Sequence, residues 1–241
     1  MNIRRIRSAF NLVFILAMLA SLAGIRPASA QTEPPGDARP NPSGLNFGYD
    51  SETGRLDFVG GTAETPLLDA AQTAGALSEL DAGAQVLAQY APLFGVAEPA
   101  QDLRLEKTDQ HDAGATLRYQ QQYQGIPVLG GELLLNRDDG GNVLSLNGEV
   151  SPDLRLRTTR PAVSAARARA TALAGMKSWY GLDAGQVQAG QPALWIYDPA
   201  IFTPSDAAPM LVWRLDMAGS AGAGPVNELV LVNAATGRVA L

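Results

Sequence analysis

The side chains able to do chemistry in this 241-residue sequence are few. There is one histidine, His111, and no cysteine. A hydrolytic zinc centre takes two or more imidazoles or thiolates, so it has nothing to be built from. The metallopeptidase helix H-E-x-x-H sets two histidines one turn apart with a glutamate base; here His111 is followed by Asp112 and Ala113. A Ser–His–Asp triad would have to recruit the same His111, which falls in the polar stretch Lys107 to Gly114, read as a turn between strands. No G-x-S-x-G elbow accompanies it. Glu132, Glu149 and Asp216 are the carboxylates available for acid–base work of the glycosidase kind, yet each sits where a strand's outward polar residue belongs. Asp138 and Asp139 lack the ligand spacing of an EF-hand and read as turn residues. Gly130-Gly131 is followed by neither a helix nor a Lys-Ser/Thr pair, so it is no phosphate loop. The sequence predicts no catalytic residue, no metal site and no cofactor, and leaves binding as the class of function.

The elements that would position a binding surface begin after an export signal. Arg4, Arg5 and Arg7 precede an apolar run from Phe10 to Ile25 and the small-residue site Ala28-Ser29-Ala30. Residues 1–30 therefore read as a secretory signal peptide cut after Ala30. The run is short for a bilayer core of about 30 Å, and no other stretch is apolar enough to span one, so the mature chain is expected outside the cytoplasm or in a periplasm, with no membrane attachment. Cleavage leaves 14 basic and 24 acidic side chains. Such a surface repels phosphate backbones, which excludes nucleic acid as a partner. Residues 31–44, QTEPPGDARPNPSG, are too rich in proline and glycine to pack and read as a linker.

Beyond the linker the pattern is that of an α+β protein, with two small subdomains, each an antiparallel sheet with a packed helix. Residues 45–61 alternate about Glu52-Thr53-Gly54 as a hairpin. Asp81 to Phe94 reads as a helix capped by Ser78 or Asp81, stopped by Gly95, with Ala84, Leu87, Ala88 and Ala91 on its buried face. Leu103 to Glu106 is a short strand. From Thr116 to Gln124, Leu117, Tyr119, Gln121 and Tyr123 share one face of a strand, which Gly125-Ile126-Pro127 ends. Gly131 to Asn136 and Asn142 to Val150 form a second hairpin about Asp138-Asp139-Gly140-Gly141, with Leu144, Leu146 and Val150 inward. A boundary falls between residues 151 and 161, giving units 45–155 and 160–241. In the second unit Ser164 caps a helix on which Ala165, Ala168 or Ala172, Met176 and Trp179 face the core, and Gly181 ends it. Strands at 193–197, 210–217, 228–233 and 238–241 follow as a meander.

Residues 116–135, TLRYQQQYQGIPVLGGELLL, resemble the central signature of the fungalysin/thermolysin propeptide domain. The positions that carry the resemblance are Arg118, Tyr119, Gln121, Tyr123, Gly125, Ile126, Pro127, Val128, Leu129, Gly130, Gly131 and Glu132; Leu129 stands where an aromatic residue is commoner. Tyr90 to Gly95 is similar to the helix end of that family, and Val143 to Gly148 to its return strand. Residues 162–241 resemble the PepSY domain, through the strand Leu211-Val212-Trp213-Arg214-Leu215 and the closing hairpin Asn233-Ala234-Ala235-Thr236-Gly237. The resemblance implies a non-catalytic pro-region that helps a thermolysin-like metallopeptidase domain to fold and blocks its cleft, with that domain, in cis or in trans, as partner. It carries over no catalytic residue; its signature positions are structural or contact residues. A free-standing secreted module that regulates peptidases or binds the envelope is the alternative.

Overall fold

The structure, a computed structural model, describes residues 44–70, 79–221 and 224–241. The signal peptide with its cleavage after Ala30, linker residues 31–43, and Ser78 as a helix cap lie outside the described residues.

Two antiparallel sheets follow from the alternating stretches. The first runs in the order β1 (Asn46–Tyr49), β2 (Leu56–Gly60), β6 (Val143–Glu149), β5 (Ile126–Asp138), β4 (Gly114–Tyr123), β3 (Leu103–His111). Helix α1 (Glu79–Phe94) lies across one face of it, and the single turn α2 (Pro99–Asp102) leads into β3. In the second sheet β9 (Met210–Ala221) pairs with β10 (Gly224–Asn233), with β8 (Ala193–Tyr197) and with the short β7 (Val187–Ala189). Helix α3 (Ala165–Tyr180) covers its inner face. A parallel bridge between Val128 of β5 and Ile196 of β8 joins the two into one ten-stranded sheet. This is an α+β fold, and residues 41–241 cluster as one compact unit.

The first core packs Val86, Leu87, Tyr90 and Phe94 of α1 on Leu117, Leu133, Leu135 and Leu146. The second packs Ala168, Ala172 and Met176 of α3 on Leu215, Met217, Val230 and Val232; alanines at the contact let the helix approach the sheet closely. Ser164 Oγ accepts the Arg167 N–H at the start of α3, and Trp213 Nε1 donates to the Val163 carbonyl at 2.8 Å, fixing β9 beneath the helix. A third cluster, centred on Val128, Ile196, Leu211 and Ala234, sits where the sheets meet.

Several expectations are corrected. α1 buries Val86, Leu87, Tyr90, Ala91 and Phe94, while Ala84 and Ala88 are exposed; alanine fits either face, and the larger side chains decide. β3 continues to His111, so residues 107–111 are not a turn. Its partner β4 supplies all of its ladder bonds, so this polar edge strand needs no apolar alternation. Ile126 and Pro127 open β5 rather than ending a strand. In β6, Val143 is buried and Leu144 is not, because the register with β5 skips one residue there. After Gly237 the chain starts back along β10: Val239 bridges Val232, the Asn233 and Leu231 N–H groups donate to the Arg238 and Leu241 carbonyls, and the Ala240 N–H donates to the Leu231 carbonyl, a short paired segment.

Gly83 on α1 stands against the tip of Tyr119: a Cβ there would lie 2.4 Å from the phenol oxygen. Glycine to alanine inside a helix ordinarily gains about 1 kcal/mol. Here the collision reverses the sign, and Gly83→Ala is expected to lose about 1–2 kcal/mol, in the range of overpacked cores. Urea unfolding checks this, and a gain in stability would show that the ring swings aside freely.

Candidate functional site

The signature segment occupies the junction between the sheets. β4 and β5 are joined by the two-residue turn Gln124-Gly125, with Tyr123 and Ile126 as register partners. Both turn residues have positive φ, 51° and 79°, as a type I′ hairpin requires. Gly125 therefore answers to backbone geometry. Further along, Gln120 pairs with Glu132 and Gln122 with Pro127, so four residues of β5, Val128 to Gly131, face the single Gln121 of β4. That wide bulge carries Val128 out of the first sheet to meet Ile196 in the second. Gly130, at φ 74°, turns the chain there, and a Cβ on it would sit 2.9 Å from the Phe202 ring.

Two glutamines hold the bulge in place. Gln120 Nε2 donates to the carbonyls of Val128 (2.7 Å), Gly131 (2.8 Å) and Gln121 (3.0 Å). Gln121 is buried and works as a strand partner in side-chain form. Its Nε2 donates to the Ser151 carbonyl and its Oε1 accepts the Ser151 N–H, each at 2.8 Å. Gly131 lies against Gln121, where a Cβ would meet Oε1 at 2.7 Å. Ser151, itself buried, donates a hydrogen bond from its hydroxyl to Asp198 Oδ2 at 2.5 Å, and Asp198 Oδ1 accepts the Ala200 N–H at 3.0 Å. A continuous polar thread thus runs from the first sheet, through the segment after β6, to the turn that follows β8.

The other signature side chains separate around this thread. Tyr119 packs in the first core beneath α1, whereas Tyr123 packs in the third cluster, so the expected single face is broken at the bulge. Arg118 and Glu132 form an ion pair on the face of the sheet opposite α1. Beside them Thr116 Oγ1 donates to Asn136 Oδ1 (2.9 Å), and Asn136 Nδ2 donates to Ser145 Oγ and Asn147 Oδ1 (3.0 Å each). Pro127 is half-buried in the opening of β5. Gln120, Ser151 and Asp198 escape sequence reasoning. Period-two alternation puts Gln120 outward with Arg118, and only the bulge turns its outward position into a buried one. Asp198 before Pro199 does signal a capped turn, which is what it makes, but nothing in the sequence marks its burial.

Among the candidate carboxylates, Glu132 and Glu149 are register partners across β5 and β6, and Asp216 is in the other sheet beside Arg214. Glu149 is an exposed residue at the end of β6, but the partial loss of hydration at its carboxyl, and then the charges of Asp50 and Asp57, push it above its ordinary 4.5, while Arg55 pulls it back. A carboxyl raised in the folded state binds its proton more tightly there than in the unfolded chain, so ionised Glu149 opposes folding. That penalty is complete above the folded value and vanishes below about 4.5. Glu149→Gln is accordingly expected to raise the melting temperature at pH 7, with the difference closing by pH 4. A difference that grows on acidification would sink this assignment.

His111 lies exposed at the end of β3 with Thr116 Oγ1 3.4 Å from its Nε2. Among the described residues no group of three or more His, Asp or Glu side chains is placed to hold a metal ion. Asp138 receives the Asn142 N–H and side-chain amide at 2.8 Å each, closing the β5–β6 hairpin. Among the described residues no helix is long and apolar enough to cross a membrane.

At the junction Gln120, Gln121 and Tyr119 are buried, whereas Arg118 and Glu132 pair on the outer face of the sheet and Gly125 and Gly130 are exposed. Residues 101–150, from α2 through β6, match the model of the Fungalysin/Thermolysin Propeptide Motif. The chain carries that motif, which marks the pro-regions of fungalysin- and thermolysin-type peptidases. A comparison with curated proteins gives no match. Among solved structures the chain is similar to the Bacillus megaterium YpeB C-terminal domain, at 14% identity and a TM-score of 0.35, over 81% of this chain and 74% of that one.

Proposed function

We propose that this chain is the non-catalytic pro-region of a secreted thermolysin-like zinc metallopeptidase, acting as folding assistant and inhibitor of the peptidase domain. The observation that carries the reading is the propeptide motif over residues 101–150, which spans β3 to β6, four of the six strands of the first sheet. In this reading residues 45–155 form the propeptide-like half and residues 160–241 a PepSY-like half. The chain is exported by residues 1–30, cut after Ala30, and meets its peptidase outside the cytoplasm or in a periplasm, in cis or in trans. Inhibition needs steric occupancy of a cleft rather than chemistry. A rigid preformed surface also lowers the ordering cost of a folding partner. The signature residues contribute by holding that surface still.

The test adds the chain to a thermolysin-like peptidase and follows cleavage of a peptide substrate, and separately follows recovery of activity when the denatured peptidase refolds beside it. Slowed cleavage and faster recovery are expected at micromolar chain. Unchanged rates in both assays refute the proposal.

A further inference from the structure

The covalent link between β6 and α3 is unlike the rest of this acidic chain in charge. From Leu154 to Leu182 the sequence holds five arginines and one lysine, and no aspartate or glutamate. Lys177 finds Asp183 at 2.8 Å, and Arg169 donates to the Ala189 carbonyl at 3.2 Å. Arg155, Arg157 and Arg160 are exposed and form no ion pair among the described residues.

The backbone that carries these three is anchored at both ends and open between. The Asp153 N–H donates to the Gly95 carbonyl at 3.3 Å, and the Ala162 N–H to the Ala234 carbonyl at 2.9 Å. Among the described residues no backbone–backbone hydrogen bond involves residues 154–161. Thr159 Oγ1 donates to Gln124 Oε1 at 3.2 Å, and the Arg160 N–H to Thr158 Oγ1 at 3.0 Å. Leu154 and Leu156 pack against the third cluster while Arg155 and Arg157 are exposed, the period-two alternation of an extended chain. Susceptibility to nicking follows the burial and hydrogen bonding of the backbone that must enter a cleft, and a cleft that adds its substrate as a strand takes extended chain.

Of the three arginines one is placed for cutting. The bond after Arg160 runs to the ring nitrogen of Pro161, a tertiary amide with no N–H to offer. The bond after Arg155 runs to Leu156, whose side chain would have to leave the third cluster. Arg157 is followed by Thr158, and both are exposed. Every other lysine or arginine from residue 44 onward lies in β3, β4, β5, β9 or α3, where ladder or helix bonds hold the backbone, except Arg55 and Arg238, whose carbonyls accept the Asp50 and Asn233 N–H groups at 2.8 Å each.

We infer that the Arg157–Thr158 bond is a processing site for an arginine-specific endopeptidase, one whose primary pocket meets the guanidinium with a carboxylate. Hydrolysis adds one water across one amide. The Arg157 carbonyl carbon takes the hydroxyl and the Thr158 nitrogen the hydrogen, leaving a carboxylate and an ammonium. The cut parts the half that holds the propeptide motif from the half built on α3, and packing that was intramolecular becomes an association of two chains. The inference rests on this segment and not on what the chain binds.

The probe is trypsin, added sparingly to the full chain in native buffer, with fragments followed by mass and N-terminal sequence. The first cut between residues 44 and 241 is expected to yield a fragment that begins at Thr158. Arg157→Gln is expected to slow that first cut about tenfold or more, because the remaining sites need a further opening of the fold, while the melting temperature stays unchanged, as at other exposed positions. A lysine-specific endopeptidase is expected to leave residues 44–241 intact over the same time, since Lys107 and Lys177 lie in β3 and α3. A first cut at any other bond, an undiminished rate in Arg157→Gln, equal cutting by the lysine-specific enzyme, or a chain that trypsin leaves whole between residues 44 and 241 overturns the inference.

Discussion

Replacing Gln121 by alanine is expected to cost the chain about 3 kcal/mol of stability, read as a lower midpoint in urea unfolding. The side chain makes two 2.8 Å hydrogen bonds to the backbone of Ser151, and both partners are buried. An ordinary intramolecular hydrogen bond contributes only about 1 kcal/mol net. The larger cost comes from what is left behind, because the N–H and carbonyl of the buried Ser151 lose their partners, at about 1–3 kcal/mol each. Relaxation and a trapped water recover part of that. Gln121→Glu separates the two halves of the interaction. Its carboxylate still accepts the Ser151 N–H but opposes the Ser151 carbonyl, so it is expected to fall at or below alanine at neutral pH and to improve as acid returns a proton to it. If Gln121→Ala unfolds like the unmodified chain, the side chain is not part of the joint.

That prediction also marks how far the sequence could be read. The hairpins at 45–61 and 131–150, helix α3 with its Ser164 cap, and the strand 193–197 are legible because each is a local pattern: a turn residue, a cap, an alternation. The positions of the signature were legible too, since they carry a resemblance. Their roles were not. Tyr119 and Tyr123 are spaced as one face of one strand, yet they serve different cores because β5 inserts extra residues opposite Gln121. A bulge is a property of the pair of strands, and one strand's alternation cannot show it. The buried face of α1 was misread for a related reason. Alanine carries almost no preference between core and surface, so Ala84 and Ala88 fitted an inward stripe, while Val86, Tyr90 and Phe94 decided which stripe was inward.

Ser151, at the start of the segment that the sequence marks as a boundary, bonds to Gln121 on one side and to Asp198 on the other. Asp198 lies in the second half and is 4% exposed, with Ser151 Oγ donating to it at 2.5 Å and the Ala200 N–H at 3.0 Å. Asp198→Ala orphans both donors and is expected to lose about 2–4 kcal/mol. Asp198→Asn keeps an oxygen for Ala200, and the Ser151 hydroxyl can turn to accept from the new amide, so asparagine is expected to recover most of that loss. Because Ser151 is bonded to Gln121 and to Asp198 at once, the two substitutions act on one network, and buried networks couple more strongly than pairwise deletions suggest. The double variant Gln121→Ala/Asp198→Ala is therefore expected to lose less than the sum of the single losses, with a coupling of about 0.5–3 kcal/mol. Once either partner is gone, Ser151 has already lost its fixed place and the second deletion removes less. Strict additivity in a urea double-mutant cycle would mean that the sheets are held together by the Val128–Ile196 bridge and its apolar surroundings alone, with the polar thread serving each half separately.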